Sequence, residues 1–265
     1  MKILITNDDG VYAEGIVALA NAMATSHEVV VVAPDRERSA CARSLTVDIP
    51  LKTKKLHISA YHGCEVYSTT GTPTDCVKFG AQELLKGQVD LVLSGINIGS
   101  NLGTDIAYSG TVSAALEAET LGYPAIAFSQ VLHYAKEEER HAYFLTGAQM
   151  AAEFVDKISL SDFKEYVYNV NFPPVPKDQI EGIKVCPQGI CNYDEKYEKR
   201  VDPFGREYYW SCGKMNHSDY NDIHKTDIYW IRRNYVTITP VHWDTTAQNA
   251  LQDVGCRIDH MKLHF

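Results

Sequence analysis

Lys2-Ile3-Leu4-Ile5-Thr6-Asn7-Asp8-Asp9-Gly10 joins a short run of apolar, β-branched residues to a polar turn. Its length and branching predict a strand buried on both faces. Outward from it the same grammar recurs. Glu14 to Ala24 sets Ile16, Leu19, Ala20 and Met23 at helical spacing. Glu28 to Ala33 carries four valines in succession, Val29 to Val32, and reads as a second buried strand. Pro73 to Leu85 is predicted as a helix opened by a threonine and a proline. Asp90 to Ser94 and Tyr123 to Ser129 read as further strands, with a small-residue helix over Thr111 to Leu121 between them. Alternation of this kind predicts an α/β protein with a doubly wound, largely parallel sheet flanked by helices. In such sheets ligands bind outside the carboxyl ends of the strands. Polar clusters fall at three of those ends, around Asp8-Asp9, Ser39 and Asn97.

The second half loses this rhythm. Glu139 to Ile158 is a longer amphipathic helix, with Phe144, Ala148, Ala151 and Val155 on one face. Beyond Ser161 short strand-like pieces follow at Tyr166–Asn171, Ile183–Cys186, Glu207–Trp210 and Tyr235–Thr239, with a turn at Pro203-Phe204-Gly205. The division expected is a metal- and phosphate-binding core over 1–160 and a β-rich extension over 161–265 with protruding hairpins, within one integrated domain. Aromatic residues such as Tyr193, Tyr197, Phe204, Tyr208, Tyr209 and Trp210 suit a subunit interface; a satellite core within one subunit is the alternative.

Bulk properties bound the function. The chain has 265 residues, 45% of them apolar, and a formal net charge of −9. An acidic balance argues against a nucleic-acid duplex as partner. It leaves small anionic substrates open, because a metal ion supplies local positive charge. Seven cysteines, without paired zinc-ligand spacing, read as reduced thiols. No leader sequence and no membrane-spanning apolar run is recognisable, so the expected location is the cytoplasm.

Chemistry concentrates in four places. Asp8 and Asp9 leave a buried strand together. Adjacent carboxylates there are costly unless neutralised, and a hard divalent cation would do so; capping of the next helix is the plainer alternative. Ser39 has a hydroxyl able to ligate a metal, cap a helix or face solvent. The segment Ser94-Gly95-Ile96-Asn97-Ile98-Gly99-Ser100-Asn101-Leu102-Gly103 ends a buried strand with glycines every four residues. Its Asn97 amide oxygen is a neutral ligand for a hard ion, and the segment is neither a dinucleotide fingerprint nor a P-loop. Tyr108-Ser109-Gly110-Thr111-Val112 offers hydroxyls and free N–H groups at a helix start, a phosphate cradle or an ordinary cap. A metal held by Asp8, Asp9, Ser39 and Asn97 would then face a phosphate at Asn101, Ser109, Gly110 and Thr111.

At these residues the chain resembles the SurE family of survival-protein nucleotidases. The resemblance is carried by Ile3 to Gly10, Ala33-Pro34-Asp35-Arg36 through Ser39, Gly71-Thr72-Pro73-Thr74-Asp75-Cys76-Val77, Ser94 to Asn97 through Gly103, and Tyr108 to Val112. Asp202 to Arg206 with Tyr208 to Trp210, and Thr237 to Pro240 with Asp244 to Thr246, extend it across nearly the whole sequence. It implies a Rossmann-like core, a C-terminal region exchanging elements between subunits of a dimer or tetramer, and one divalent ion, Mg²⁺ or Mn²⁺, per subunit. It implies hydrolysis of nucleoside 5′-monophosphates, with 3′-monophosphates and short polyphosphate as further substrates, and carries the metal ligands onto Asp8, Asp9, Ser39 and Asn97. One departure concerns geometry: Ala40 stands where the family usually has glycine. A haloacid-dehalogenase-type phosphatase is excluded by Asn7, which cannot act as a carboxylate nucleophile. A nucleotide-binding regulator without turnover is the alternative from another class.

Overall fold

Ile3, Leu4 and Ile5 are all fully buried, because the strand they form lies inside a sheet covered on both faces. In the computed structural model, which describes residues 1–132, 135–163, 165–216 and 218–261, this strand is β1 (Lys2–Thr6). Then come α1 (Glu14–Met23), β2 (Glu28–Pro34), β3 (Thr53–Leu56), β4 (Cys64–Thr69), α2 (Pro73–Phe79), β5 (Leu91–Ile98), α3 (Gly110–Thr120), β6 (Ala125–Gln130) and α4 (Glu137–Lys157). The remainder holds β7 (Val167–Phe172), β8 (Gly182–Val185), β9 (Asn192–Asp194), β10 (Tyr197–Val201), β11 (Glu207–Ser211) and β12 (Lys214–Asn216). It closes with α5 (Asp219–His224), α6 (Asp227–Ile231), β13 (Tyr235–Val241) and α7 (Leu251–His260).

Nine strands make one sheet in the order β3-β4-β2-β1-β5-β6-β7-β13-β8. From β4 to β7 every neighbouring pair is parallel, as predicted, while β3 and β13 run antiparallel to β4 and β7. Strand periodicity sorts the core into two layers. Ile3 and Ile5 face α1 and α4, packing with Leu19, Met23, Phe144 and Ala151. Leu4 faces the other way, with Val77 of α2 and Val112 and Ala115 of α3. Removing such a side chain costs about 2–5 kcal/mol, so the two layers hold the sheet in place beneath the site.

The strand order reverses at β1. β2 lies on one side and β5 on the other, which opens a crevice at their carboxyl ends. Asp8 and Asp9 follow β1 at that point.

The structure differs from expectation in two places. The helix predicted over Pro73 to Leu85 is α-helical only to Phe79. Its last turn widens to i→i+5 bonding, with Leu85 N–H donating to the Gly80 carbonyl at 3.0 Å. Gly80 lies against β1, where a Cβ would stand 2.8 Å from a Leu4 methyl. Secondly, the strands beyond residue 160 do not all stand apart: β7, β13 and β8 continue the central sheet. The pairs β10–β11 and β9–β12 form separate antiparallel ribbons, and every residue of β10 and β11 is exposed. Among the described residues no helix is long and apolar enough to cross a membrane.

Candidate functional site

Asn7 shapes the turn after β1. It is fully buried; its amide donates to the Gly10 carbonyl at 3.0 Å, and its Oδ1 accepts the Gly10 N–H at 3.2 Å. Gly10 sits at φ +100°, a conformation that side-chain-bearing residues avoid, and this folds both aspartates back toward β5 and α3.

Asp8 is buried against the N-terminus of α3. Thr111 Oγ1 donates to its carboxylate, and the amides of Gly110 and Thr111 also point at it. This approach needs glycine at 110, where a Cβ would lie 2.8 Å from Asp8 Cβ. Burial pushes the Asp8 carboxyl up, against the downward pull of these hydrogen bonds. Asp9 Oδ2 accepts the Ile98 N–H at 3.0 Å. Its carboxyl is pushed up to about 7 by burial first and by the charge of Asp8 second.

Asn97, near the end of β5, donates from its amide to the Gly99 carbonyl at 3.0 Å, and its Oδ1 lies 3.2 Å from the Thr111 hydroxyl oxygen, whose one hydrogen goes to Asp8. One threonine therefore links the ends of β1 and β5 to α3. Ser39 reaches the same cleft, its hydroxyl donating to Glu37 Oε1 at 2.7 Å. Its loop is tied down on several sides. Arg38 N–H donates to the Asp8 carbonyl at 2.7 Å, and Ala42 N–H to the Tyr108 carbonyl at 3.0 Å. Arg43 pairs with the buried Glu117 at 2.8 Å. Thr46 Oγ1 donates to the buried Asp75 at 2.6 Å. Asp75 also closes the capping box of α2 with Thr72, so the Gly71–Val77 motif acts on the site indirectly, through the Ser39 loop.

Asn101 is fixed by a buried asparagine network. Its N–H donates to Asn171 Oδ1 at 2.9 Å, and its carbonyl accepts from Asn169 and Asn171 at 2.8 and 3.0 Å. Its amide donates to Ser129 at 2.7 Å. Ser109 is the N-cap of α3, accepting the Val112 N–H at 3.0 Å, so the capping alternative holds for this residue.

Asp8, Ser39, Asn97, Asn101 and Ser109 thus line one cleft of about 410 Å³. Gly110 and Thr111 lie behind Asp8, and Asp9 stands beside it on the Ile98 amide. Asp105, Tyr108 and Tyr193 line the cleft too, and sequence reasoning missed them as site residues. Tyr108 had a signal, being next to Ser109; Tyr193 had none.

The donors suit a hard cation. All are oxygens, two are carboxylates whose titration is pushed up by desolvation, and among the described residues no lining side chain is basic. Among the described residues no group of three or more His, Cys, Asp or Glu could hold a metal.

Fold and cleft together define a doubly wound α/β protein with an oxygen-lined crevice at its switch point, beside a helix N-terminus suited to anions. Known proteins narrow that class. The sequence profile of Survival protein SurE matches residues 3–195, and the chain belongs to the SurE family. It is 41% identical over 266 residues to the 5′-nucleotidase SurE of Synechococcus elongatus, covering 98% of this chain and 99% of that one. It is 43% identical over 253 residues to the 5′-nucleotidase SurE of Thermosipho africanus, covering 95% of each. The crystal structure of SurE from Aquifex aeolicus superposes with a TM-score of 0.79 at 37% identity, covering 98% of this chain and all of that one.

Proposed function

We propose that this chain is a metal-dependent 5′-nucleotidase, hydrolysing nucleoside 5′-monophosphates to nucleoside and phosphate. The observation that carries the reading is the pair Asp8 and Asp9, a buried carboxylate lining the cleft and a half-buried one next to it in the chain, with no basic side chain among the described residues lining that cleft. That arrangement is stable and useful when a cation joins it. The name 5′-nucleotidase borne by relatives of nearly the same length supports the substrate class.

Asp8, Asp9, Ser39 and Asn97 would hold one divalent ion per subunit, Mg²⁺ or Mn²⁺. When bound, such an ion supplies Lewis-acid polarisation of the phosphoryl oxygen. Ser109 keeps a hydroxyl hydrogen free to donate to a phosphate oxygen while its oxygen caps Val112. Asn101 keeps a second amide N–H beyond the one given to Ser129. Thr111 and Gly110 fix Asp8, which leaves Asp9 Oδ1 to orient the attacking water and accept its proton.

In this reading residues 1–160 hold the metal and phosphate, Asn169, Asn171 and Tyr193 support the cleft from the second part of the chain, and the exposed ribbons of 161–265 serve assembly into a dimer or tetramer, in the cytoplasm, where the seven free cysteines stay reduced. Phosphate release from nucleoside 5′- and 3′-monophosphates and short polyphosphate, with Mn²⁺, Mg²⁺ or EDTA, tests the function. Release from 5′-monophosphates that needs metal and stops in EDTA is expected; release indifferent to EDTA would sink the metal requirement.

A further inference from the structure

α3 meets the residues assigned to the metal at two points. At its N-terminus Thr111 and Gly110 hold Asp8. Six residues after Thr111, a rise of about 9 Å along the helix axis, Glu117 holds the loop that carries Ser39.

The grip at Glu117 is specific. This carboxylate is buried. Its Oε2 accepts from Arg43 Nε and Nη2, each at 2.8 Å, and its Oε1 accepts from Lys78 of α2 at 3.0 Å. Arg43 Nη2 also donates to Thr120 Oγ1 at 2.6 Å, about one turn further along α3. The guanidinium is therefore fixed at two places on one helix. A pair sheltered in this way is screened far less than a surface ion pair.

The loop needs an anchor of this kind. Ala40 and Ala42 adopt φ 54° and 49°, the left-handed region. Side-chain-bearing residues are strained there, and such a conformation persists only where surrounding contacts over-determine it. Those contacts are the Arg38 N–H on the Asp8 carbonyl at 2.7 Å, the Ala42 N–H on the Tyr108 carbonyl at 3.0 Å, and Arg43 on Glu117. Ser39 is exposed, and its hydroxyl bonds within the loop, to Glu37. Its place thus depends on the backbone around it.

We propose that Glu117 is a positioning residue for the metal site. Through Arg43 it holds the Ser39 loop against α3, the helix that also fixes Asp8, so one helix sets the separation of the two ligands. The inference rests on the assignment of Ser39 to the metal made above.

Two measurements test it. Hydrogen exchange followed by NMR on metal-free protein reads the anchor alone. In Glu117→Gln and in Arg43→Met the Ala42 amide should exchange about tenfold faster than in wild type or more, with the amides of β1 unchanged. Mn²⁺ titration calorimetry reads the positioning. Both variants should bind Mn²⁺ about tenfold more weakly, as for other groups that orient a ligand. The sign in Arg43→Met is diagnostic, because removing a positive charge would by itself strengthen cation binding. The two substitutions together should add little to either alone, and neither should weaken Mn²⁺ further in a Ser39→Ala background. Arg43→Lys, which keeps a cation on Glu117, should recover affinity to within about threefold of wild type. Lys78→Ala, which takes away the partner on α2 and no bond to the loop, should stay within about twofold.

Unchanged Ala42 exchange in both variants would overturn the inference. So would Mn²⁺ binding in Arg43→Met as tight as in wild type while Ser39→Ala weakens it, or a further loss on the Ser39→Ala background. Faster Ala42 exchange together with wild-type Mn²⁺ affinity in Ser39→Ala would instead overturn the assignment of Ser39 to the metal.

Discussion

The backbone N–H of Ile98 donates to Asp9 Oδ2 at 3.0 Å, so the carboxylate that follows β1 is held by the end of β5. Asp8, one residue earlier, is held instead by α3 through Thr111. Two adjacent side chains are thereby fixed by different elements around a single crevice. Replacing Asp9 by Asn keeps the shape and removes one of the two charges. We expect Asp9→Asn to lose activity by more than about a hundredfold, since the loss of a ligand should exceed the 10–100-fold typical of outer partners. The circular dichroism spectrum should be unchanged. An Asp9→Asn protein with near wild-type turnover would remove Asp9 from the site.

The Asp9 carboxyl, raised to about 7, gives a pH signature. A folded-state value above the ordinary 3.8 means that the fold favours the proton. The stabilising contribution of that preference in metal-free protein is full below the ordinary value and is lost as pH rises through about 7. A divalent ion competes with the same proton. Mn²⁺ affinity should therefore climb by up to about tenfold per pH unit toward pH 7 and level off above it. Calorimetric titration across roughly pH 5.5 to 8.5 checks this; an affinity flat across that window would contradict it.

Ala40, next to Ser39, adopts φ 54°, the left-handed region that glycine enters without penalty. Ala40→Gly should relieve strain of about 1 kcal/mol, partly offset by the added freedom of glycine in the unfolded chain. The expected result is a melting temperature unchanged or raised by about 1–3 °C, with the metal site intact. A drop of several degrees would mean that the Ala40 methyl group makes contacts worth more than the backbone strain.

Gly110 permits the closest approach in the site, α3 against Asp8. A Cβ at 110 would lie 2.8 Å from Asp8 Cβ and 2.9 Å from Oδ2, so Gly110→Ala must push the carboxylate aside. A displacement on the order of 1 Å can cost about a hundredfold in rate. Activity should fall by that order while thermal stability changes little, because the core layers on either side of the sheet are untouched. Kinetics and a melting curve on the same sample separate the two effects; full activity in Gly110→Ala would mean that Asp8 is not fixed by α3.

Much of this was legible in the sequence for physical reasons. β1, β2, β5 and β6 are buried on both faces, so they appear as unbroken apolar runs with polar residues gathered at their carboxyl ends. That is why Asp8, Ser39, Asn97 and Asn101 group together in the sequence alone. β3 and β4 were not legible. β3 lies at the sheet edge with Lys54 and Lys55 exposed, and β4 alternates exposed Glu65 with buried Val66, so neither forms an apolar run. The asparagines of β7 gave no signal either. Asn169 and Asn171 are buried polar residues whose partners lie in the loop after β5, and only the tertiary fold brings them there. Tyr193 reads in the sequence as an interface aromatic; in the fold its hydroxyl bonds Asp105 and its ring lines the cleft, a contact that the sequence pattern does not show.

We propose that Asp8, Asp9, Ser39 and Asn97 form one divalent-cation site. The most direct test is Mn²⁺ binding by titration calorimetry at a pH above the Asp9 titration, on wild type and Asp9→Asn side by side. A single saturable site is expected in the wild-type protein, and its loss in the variant. Equal Mn²⁺ binding by both proteins would contradict it.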